Sequence, residues 1–132
     1  MIEHTADIGI RATGDSLADL FREATLGMLE ITGAGTSRSR GDSVPIAFDD
    51  APDLGALLVD WLSEILYLQD AHDVTIGAVT ITSVDTTSVR GRVITYPRER
   101  AIEGTPVKAV TFHQLVVEQR DAVWTAQVFF DI

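Results

Sequence analysis

Cysteine is absent from this chain of 132 residues, which excludes a disulfide framework and any thiolate chemistry. Lysine occurs only once, at Lys108, so arginine supplies nearly all of the positive charge. No apolar run reaches the roughly 18 residues of a membrane span, and the opening MIEHTADIGI lacks the basic and apolar segments of a signal peptide. We therefore expect a soluble, cytoplasmic protein with no membrane partner.

The charge is strongly one-sided, because twenty acidic residues and ten basic ones give a net charge of −10. A field of this sign repels phosphates, which argues against tight direct binding of DNA or RNA. Divalent cations and basic protein surfaces are better suited as partners. Hydrophobic residues make up 45% of the chain, which is enough for the core of one compact domain and excludes a disordered acidic tail.

Hydrophobic periodicity predicts two helices. The stretch DSLADLFREATLGMLEITG has apolar residues at helical spacing, with Asp15 or Ser16 as the N-cap and Gly33 as the stop. The stretch DLGALLVDWLSEILYLQD has a wide apolar face, and Asp53 is its candidate cap. We interpret His72, which follows this stretch, as a residue favoured by the dipole at the helix C-terminus.

Six stretches have the pattern of strands: DIGIRAT, VPIAF, VTIGAVTITSV, TSVRGRVITY, VKAVTFHQLVVEQ and AVWTAQVFFDI. Pro45 suggests that VPIAF is an edge strand. Turns are expected at Asp85-Thr86 and near Arg120-Asp121. The predicted fold is α+β, a single domain over residues 1–132 with a largely antiparallel sheet on which two helices pack.

Three carboxylates belong to the first and last strands. Alternation places Asp131 with the polar side chains of the last strand, and Asp7 opposite the apolar face of the first. If these strands are neighbours, Asp7, Asp131 and the α-carboxylate of Ile132 converge. An all-oxygen set suits Ca²⁺, Mg²⁺ or Mn²⁺ better than zinc or copper. The alternative is that both aspartates merely solvate the ends of their strands.

Four blocks of the sequence resemble the archease family: EHTADIGIRATGDSLADLFREATLGM, LLVDWLSEILYL, VKAVTFHQLVV and VWTAQVFFDI. Together they cover nearly the whole chain in the family's order. The resemblance implies an acidic accessory protein of the RtcB-type RNA ligase, which joins RNA ends with GTP and Mn²⁺ in tRNA splicing and RNA repair. It implies that the protein promotes guanylylation of the ligase and its repeated turnover, and is not itself an enzyme.

The resemblance also implies a site. It maps the divalent-metal ligands of the family onto Asp7, Asp131 and Ile132, with Ca²⁺ as the leading candidate and Mn²⁺ or Mg²⁺ as alternatives. One departure concerns Ala101, which stands where members often carry a histidine. If that histidine has a role, this chain lacks it or uses another group.

Two further residues are candidates for function. Lys108 matches the lysine of the family's KAVT block, and it can relieve the repulsion among the carboxylates or contact a nucleotide phosphate. The alternative is a strand lysine that points to solvent. His4 can hydrogen-bond a ligating carboxylate, or equally a backbone group at the start of the strand.

The other charged and aromatic candidates have simpler interpretations. His113 is expected in the VKAVTFHQL strand as a core or half-buried residue. A patch for phosphates or acidic partners is conceivable from the basic residues Arg90, Arg92, Arg98, Arg100 and Lys108, but a solvated strand face is favoured. Asp60 and Glu64 are expected to coat the exposed face of the second helix.

Two alternatives to an accessory protein of the ligase stay open. A stand-alone, divalent-metal-dependent hydrolase needs an activated nucleophile and a cleft. The chain has no glycine-rich phosphate loop and no HExxH pattern. A protein-binding chaperone without a functional metal is the other alternative.

Overall fold

The computed structural model describes residues 7–33, 40–98 and 104–132. This part of the chain contains two helices and seven strands, and the last five strands follow α2 without another helix. Their bounds are β1 Asp7–Gly14, α1 Leu17–Thr32, β2 Asp42–Phe48, α2 Leu54–His72, β3 Val74–Val84, β4 Val89–Pro97, β5 Ala109–Val110, β6 Val116–Arg120 and β7 Val123–Asp131. The predicted α+β class is confirmed.

Both helices begin and end where the local chemistry predicts. The hydroxyl of Ser16 accepts the Asp19 N–H at the start of α1, which makes Ser16 the cap. The carboxylate of Asp53 accepts the Ala56 N–H at the start of α2. These contacts satisfy backbone donors that a helix leaves unpaired in its first turn. His72 lies in the last turn of α2, as predicted.

The strands form two antiparallel sheets, which corrects the expectation of one. The first, here called the terminal sheet, has the order β1-β7-β5. Strand β6 also pairs with β7, along an earlier part of that strand than β5 does. The second, here called the hairpin sheet, has the order β2-β4-β3 and is built on the predicted hairpin at Asp85-Thr86. The strand that contains Pro45 is an edge of this sheet, as predicted. No periodicity in the sequence shows which strands lie in the same sheet.

The stretch VKAVTFHQLVVEQ is not one strand, so that prediction was wrong. It forms β5 and β6, which both pair with β7, while the residues from Thr111 to Leu115 leave the ladder. Gln114 adopts a left-handed conformation with φ of 49°, which a continuous strand does not allow. His113 therefore lies exposed in this excursion, and its predicted place in the core was also wrong.

The core lies where both helices meet the inner faces of the sheets. Leu20, Phe21 and Met28 of α1 are fully buried, as are Trp61 and Ile65 of α2. Alternate residues of β7 complete it, namely Ala126, Val128 and Phe130. The opposite face of the terminal sheet carries no helix in the described part of the chain. We call it the outer face; its residues are Asp7, Gly9, Arg11 and Thr13 of β1 with Thr125, Gln127, Phe129 and Asp131 of β7.

Candidate metal centre

The register of β1 and β7 brings two aspartates together. Asp7 lies directly opposite Asp131 in this antiparallel pair, and Ile8 lies opposite Phe130. Opposed residues of an antiparallel pair have their Cβ atoms about 4.5–5.5 Å apart on the same face. Because Ile8 and Phe130 turn inward, both carboxylates belong to the outer face. The first and last strands are thus neighbours, which was the condition for the convergence of these carboxylates.

This pair carries two like charges with no described counter-charge. The ion pairs within residues 7–33, 40–98 and 104–132 join other groups, so none of them neutralises Asp7 or Asp131. Like charges directly opposite each other destabilise a sheet. A cation that the two carboxylates share would remove this cost, and their hard oxygen atoms suit Ca²⁺, Mg²⁺ or Mn²⁺.

Ile132 follows Asp131, and its side chain packs against the core while its residue is half-buried. This contact fixes the main chain just beyond the end of β7. Three or more clustered His, Cys, Asp or Glu side chains are not found among the residues that the structure describes. A centre here therefore depends on the two facing aspartates with a main-chain carboxylate at Ile132, which is the predicted set. The donor chemistry fits a hard cation, and the ligand set stays a prediction.

The backbone of Lys108 is hydrogen-bonded to the backbone of Asp131. Its N–H donates to the carbonyl oxygen of Asp131 at 2.7 Å, and Ala109 occupies the register position opposite Asp131. The lysine side chain is exposed and lines a cavity of about 320 Å³ together with Tyr67 and Asp70 of α2. The functional role of Lys108 stays a prediction.

Three residues of the sequence analysis lie outside the described residues. These are His4, Ala101 and Arg100. The proposed hydrogen bond from His4 to a ligating carboxylate is therefore untested.

The remaining arginines of the supposed basic patch have structural contacts. Arg90 forms a bidentate pair with Asp49 at 3.0 and 3.1 Å, and this carboxylate raises the pKa of the guanidinium. Arg92 donates to the hydroxyl of Ser43 at 3.1 Å. Both arginines are exposed on β4, which agrees with the favoured solvated strand face.

Arg98 has a different task. It donates to the carbonyl oxygens of Gln69 and Val74 at 3.2 and 3.3 Å, and it pairs with Asp73 at 3.3 Å. These acceptors surround the end of α2, where backbone carbonyls lack partners within the helix. The guanidinium of Arg98 thus pairs with groups at the C-terminal end of α2, which argues against a role in binding phosphate.

Sequence reasoning missed an aromatic contact beside the two aspartates. Phe129 is the next residue of β7 on the outer face after Asp131, counted away from the chain end, and Gly9 lies opposite it on β1. His113 contacts Phe129, with the ring centroids 6.0 Å apart at 67°. The alternation of AVWTAQVFFDI placed Phe129 among polar residues, and that exception was the available signal.

The chain matches known proteins over its full length. It fits the model of the Archease protein family over residues 1–132. It is 34% identical over 138 residues to protein archease of Methanosarcina acetivorans, which covers 99% of this chain and 93% of the relative. It is 32% identical over 136 residues to protein archease of Pyrococcus furiosus, which covers 98% and 95%.

Two solved structures are similar as well. The solution structure of protein 1598 of Methanobacterium thermoautotrophicum has a TM-score of 0.73 at 28% identity and covers 99% of this chain and 96% of that one. The crystal structure of an archease from Thermotoga maritima, described as a possible chaperone, has a TM-score of 0.70 at 26% identity, with coverages of 100% and 95%. Family model, relatives and structures agree, and the chain therefore belongs to the Archease protein family.

Proposed function

We propose that this protein is a metal-binding accessory protein that activates an RtcB-type RNA ligase in the cytoplasm. It promotes guanylylation of the ligase and its multiple turnover, and it does not join RNA itself. Membership of the Archease family over residues 1–132 carries this proposal. No helix in the described residues is long and apolar enough to cross a membrane.

The charge of the chain supports a protein partner of this kind. A ligase that gathers GTP, metal ions and RNA presents a basic surface around its active site. A partner with a net charge of −10 is steered to such a surface, and its association weakens as the salt concentration rises. The same negative charge opposes direct binding of RNA by this protein, which agrees with a role in activating the ligase and not in joining RNA.

The facing aspartates support metal binding. Asp7 and Asp131 offer hard oxygen atoms at the end of β7, and the packing of the Ile132 side chain holds the adjoining main chain in place. A bound divalent cation supplies electrostatic stabilisation to phosphate oxygens. The pairing of β1 with β7 brings the two carboxylates to the same end of the sheet, which supports a cation shared between them.

A single-turnover guanylylation assay tests the proposal. The ligase of the same organism is mixed with labelled GTP and Mn²⁺, and formation of the ligase–GMP adduct is timed with and without this protein. A second arm counts RNA joining events per ligase molecule. We expect a faster first step and more than one turnover. Asp131→Ala should reduce both effects, whereas Asp60→Ala, on the exposed side of α2, is the matched control.

The outcome separates the alternatives. Unchanged guanylylation and an unchanged number of turnovers would refute the activator role. Hydrolysis of a nucleotide or phosphoester substrate by the isolated protein would instead favour the metal-dependent hydrolase. Full activation by a protein whose Asp131→Ala variant is equally active would favour a chaperone without a functional metal, in line with the description of the Thermotoga maritima relative.

A further inference from the structure

The ring of Phe129 lies flat over Gly9. A Cβ atom added to Gly9 would meet three consecutive ring carbons of Phe129, Cε1 at 2.7 Å, Cδ1 at 3.0 Å and Cζ at 3.1 Å. The two flanking carbons are only slightly farther away than the central one, as for a point above the ring plane. A point beyond the ring edge would be much farther from the flanking carbons. One face of the ring therefore covers Gly9, and the other points away from Gly9.

The excursion between β5 and β6 contacts both the backbone and the ring of Phe129. The hydroxyl of Thr111 donates to the Phe129 carbonyl oxygen at 3.0 Å and accepts the His113 N–H at 3.3 Å. The exposed imidazole of His113 then meets the phenyl ring edge to face. The half-buried Phe129 thus lies on the outer face in contact with Gly9 and His113, and we call its ring the aromatic platform.

A fixed cation lies one register step beyond the platform. Arg11 is opposite Gln127, and its Nε and Nη2 donate to Gln127 Oε1 at 3.3 and 3.2 Å. Gln127 is held in turn because its Nε2 donates to the Gln114 carbonyl oxygen at 3.0 Å. Arg11 is exposed and forms no ion pair with a carboxylate in the described part of the chain. Its remaining N–H groups have no acceptor within residues 7–33, 40–98 and 104–132.

Carboxylates, an aromatic ring and a guanidinium group follow one another along the outer face at regular spacing. Residues on one face of a strand repeat about every 7 Å. The carboxylates of Asp7 and Asp131 stand at one end, Phe129 follows, and Arg11 stands one step further. Aromatic side chains on a sheet stack with nucleobases, and arginine donors match the O6 and N7 acceptors of guanine.

We propose that the outer face binds guanosine phosphates, with the base stacked on Phe129, its acceptor edge toward Arg11 and its phosphates toward Asp7 and Asp131. This inference rests on the proposed function for a divalent cation, which Asp7 and Asp131 would hold and which would offset the charge of the phosphates. Without that cation the net charge of −10 repels a triphosphate, so binding requires the metal. Adenine offers a donor where guanine offers O6, so Arg11 favours guanine.

Titration calorimetry on the isolated protein tests the site. With Mg²⁺ present, GTP is compared with ATP and with inorganic tripolyphosphate, which carries the charge but no base. We expect GTP to bind at least about fivefold more tightly than tripolyphosphate, because stacking a base on an aromatic side chain contributes a factor of that order. GTP should also bind more tightly than ATP, because the donors of Arg11 match the acceptors of guanine and not those of adenine. A short guanosine-containing RNA in a parallel titration shows whether the free nucleotide or an RNA end is the preferred source of the group.

Three variants locate the contact. Phe129→Leu and His113→Ala should weaken GTP binding without affecting tripolyphosphate, and Arg11→Gln should abolish the preference for GTP over ATP. Phe112→Leu is the matched control, because Phe112 is 63% exposed in the same excursion but not on the platform. His113→Ala and Arg11→Gln do not alter either residue of the contact between Phe129 and Gly9. These two variants therefore still test the GTP site if Phe129→Leu fails to fold.

Equal affinities for GTP and tripolyphosphate, or equal affinities of wild type and both His113→Ala and Arg11→Gln, would overturn the inference. Equal binding of GTP and ATP would overturn the assignment of guanine. The ligase assay reads out separately. Variants that lose GTP binding but activate the ligase normally would refute this site alone, and the activator role would stand.

Discussion

Trp61 of α2 donates its indole N–H to the hydroxyl oxygen of Thr25 in α1 at 2.9 Å, and both residues are fully buried. The same hydroxyl donates to the Phe21 carbonyl oxygen at 2.6 Å. One small polar group thus satisfies the largest buried side chain of the molecule and ties the two helices together. Buried polar groups without a partner are costly, so this bond matters more when it is broken than its net strength suggests.

Replacement of Thr25 by Val should therefore destabilise the protein. The shape is retained, but the indole N–H loses its acceptor, at a cost of about 1–3 kcal/mol in the free energy of unfolding. Thr25→Ser keeps the hydroxyl and should cost less. Urea unfolding followed by tryptophan fluorescence measures both. A Thr25→Val protein as stable as wild type would show that the bond is dispensable.

Asp7→Asn should separate the two effects of the facing aspartates. Without a divalent cation, the variant should be at least as stable as wild type, since the repulsion across the strands is relieved. With cation at 100 times the dissociation constant, wild type should gain about 2.7 kcal/mol and the variant much less. Thermal unfolding in chelator and in Ca²⁺ measures this difference. Asp60→Asn serves as the control, and a full cation-induced shift in Asp7→Asn would exclude Asp7 as a ligand.

Extension of the chain beyond Ile132 should weaken the cation. A peptide bond converts the α-carboxylate into a neutral amide, which removes one charged ligand, while the Ile132 side chain keeps its contact with the core. Titration of Ca²⁺ or Mn²⁺ into proteins with and without a short C-terminal tag measures the change. The same tag at the N-terminus is the comparison. Equal affinities would exclude the terminal carboxylate as a ligand.

Asp85 should make the stability depend on pH at the acidic end. Hydrogen bonds from the Thr87 N–H, then the Ser88 N–H and hydroxyl, lower the pKa of its carboxyl. A carboxyl with a depressed folded-state pKa stabilises the fold above its unfolded pKa and loses that contribution as the pH falls through the folded value. Asp85→Ala should thus be less stable than wild type at neutral pH.

The difference between wild type and Asp85→Ala should shrink as the pH falls below the ordinary aspartate pKa of about 3.9. Urea unfolding of both proteins across this range tests the linkage. Asp60→Ala offers a comparison at another exposed aspartate. A stability difference that stays constant from neutral to strongly acidic pH would show that the charge of Asp85 plays no part.

Lys108→Ala should impair activation of the ligase without unfolding the protein. The side chain is exposed, so the melting temperature should change little, while removal of a charge beside the end of β7 should slow guanylylation. Lys108→Arg should restore part of the effect if charge is what matters. Single-turnover guanylylation measures it. Full activation by Lys108→Ala would assign this lysine to the solvated surface.

The sequence by itself determined where both helices begin and where the turn between β3 and β4 lies. Capping by Ser16 and Asp53, the stop at Gly33 and the hairpin at Asp85 depend on contacts between residues close in the chain, and such contacts are visible in the order of residue types. The four ordered blocks likewise sufficed to indicate the family. Alternation fixed which side of β1 carries Asp7, although whether Asp131 would face it depended on a pairing of distant strands.

Tertiary structure alone decided the distant relationships. The division into two sheets, the excursion around Gln114 and the flat contact of Phe129 with Gly9 arise from pairings between segments far apart in the chain. The position of Lys108 beside α2 was decided in the same way. Periodicity reports which face of an element is apolar, but it does not identify the element that covers that face, because that choice depends on packing of the whole core.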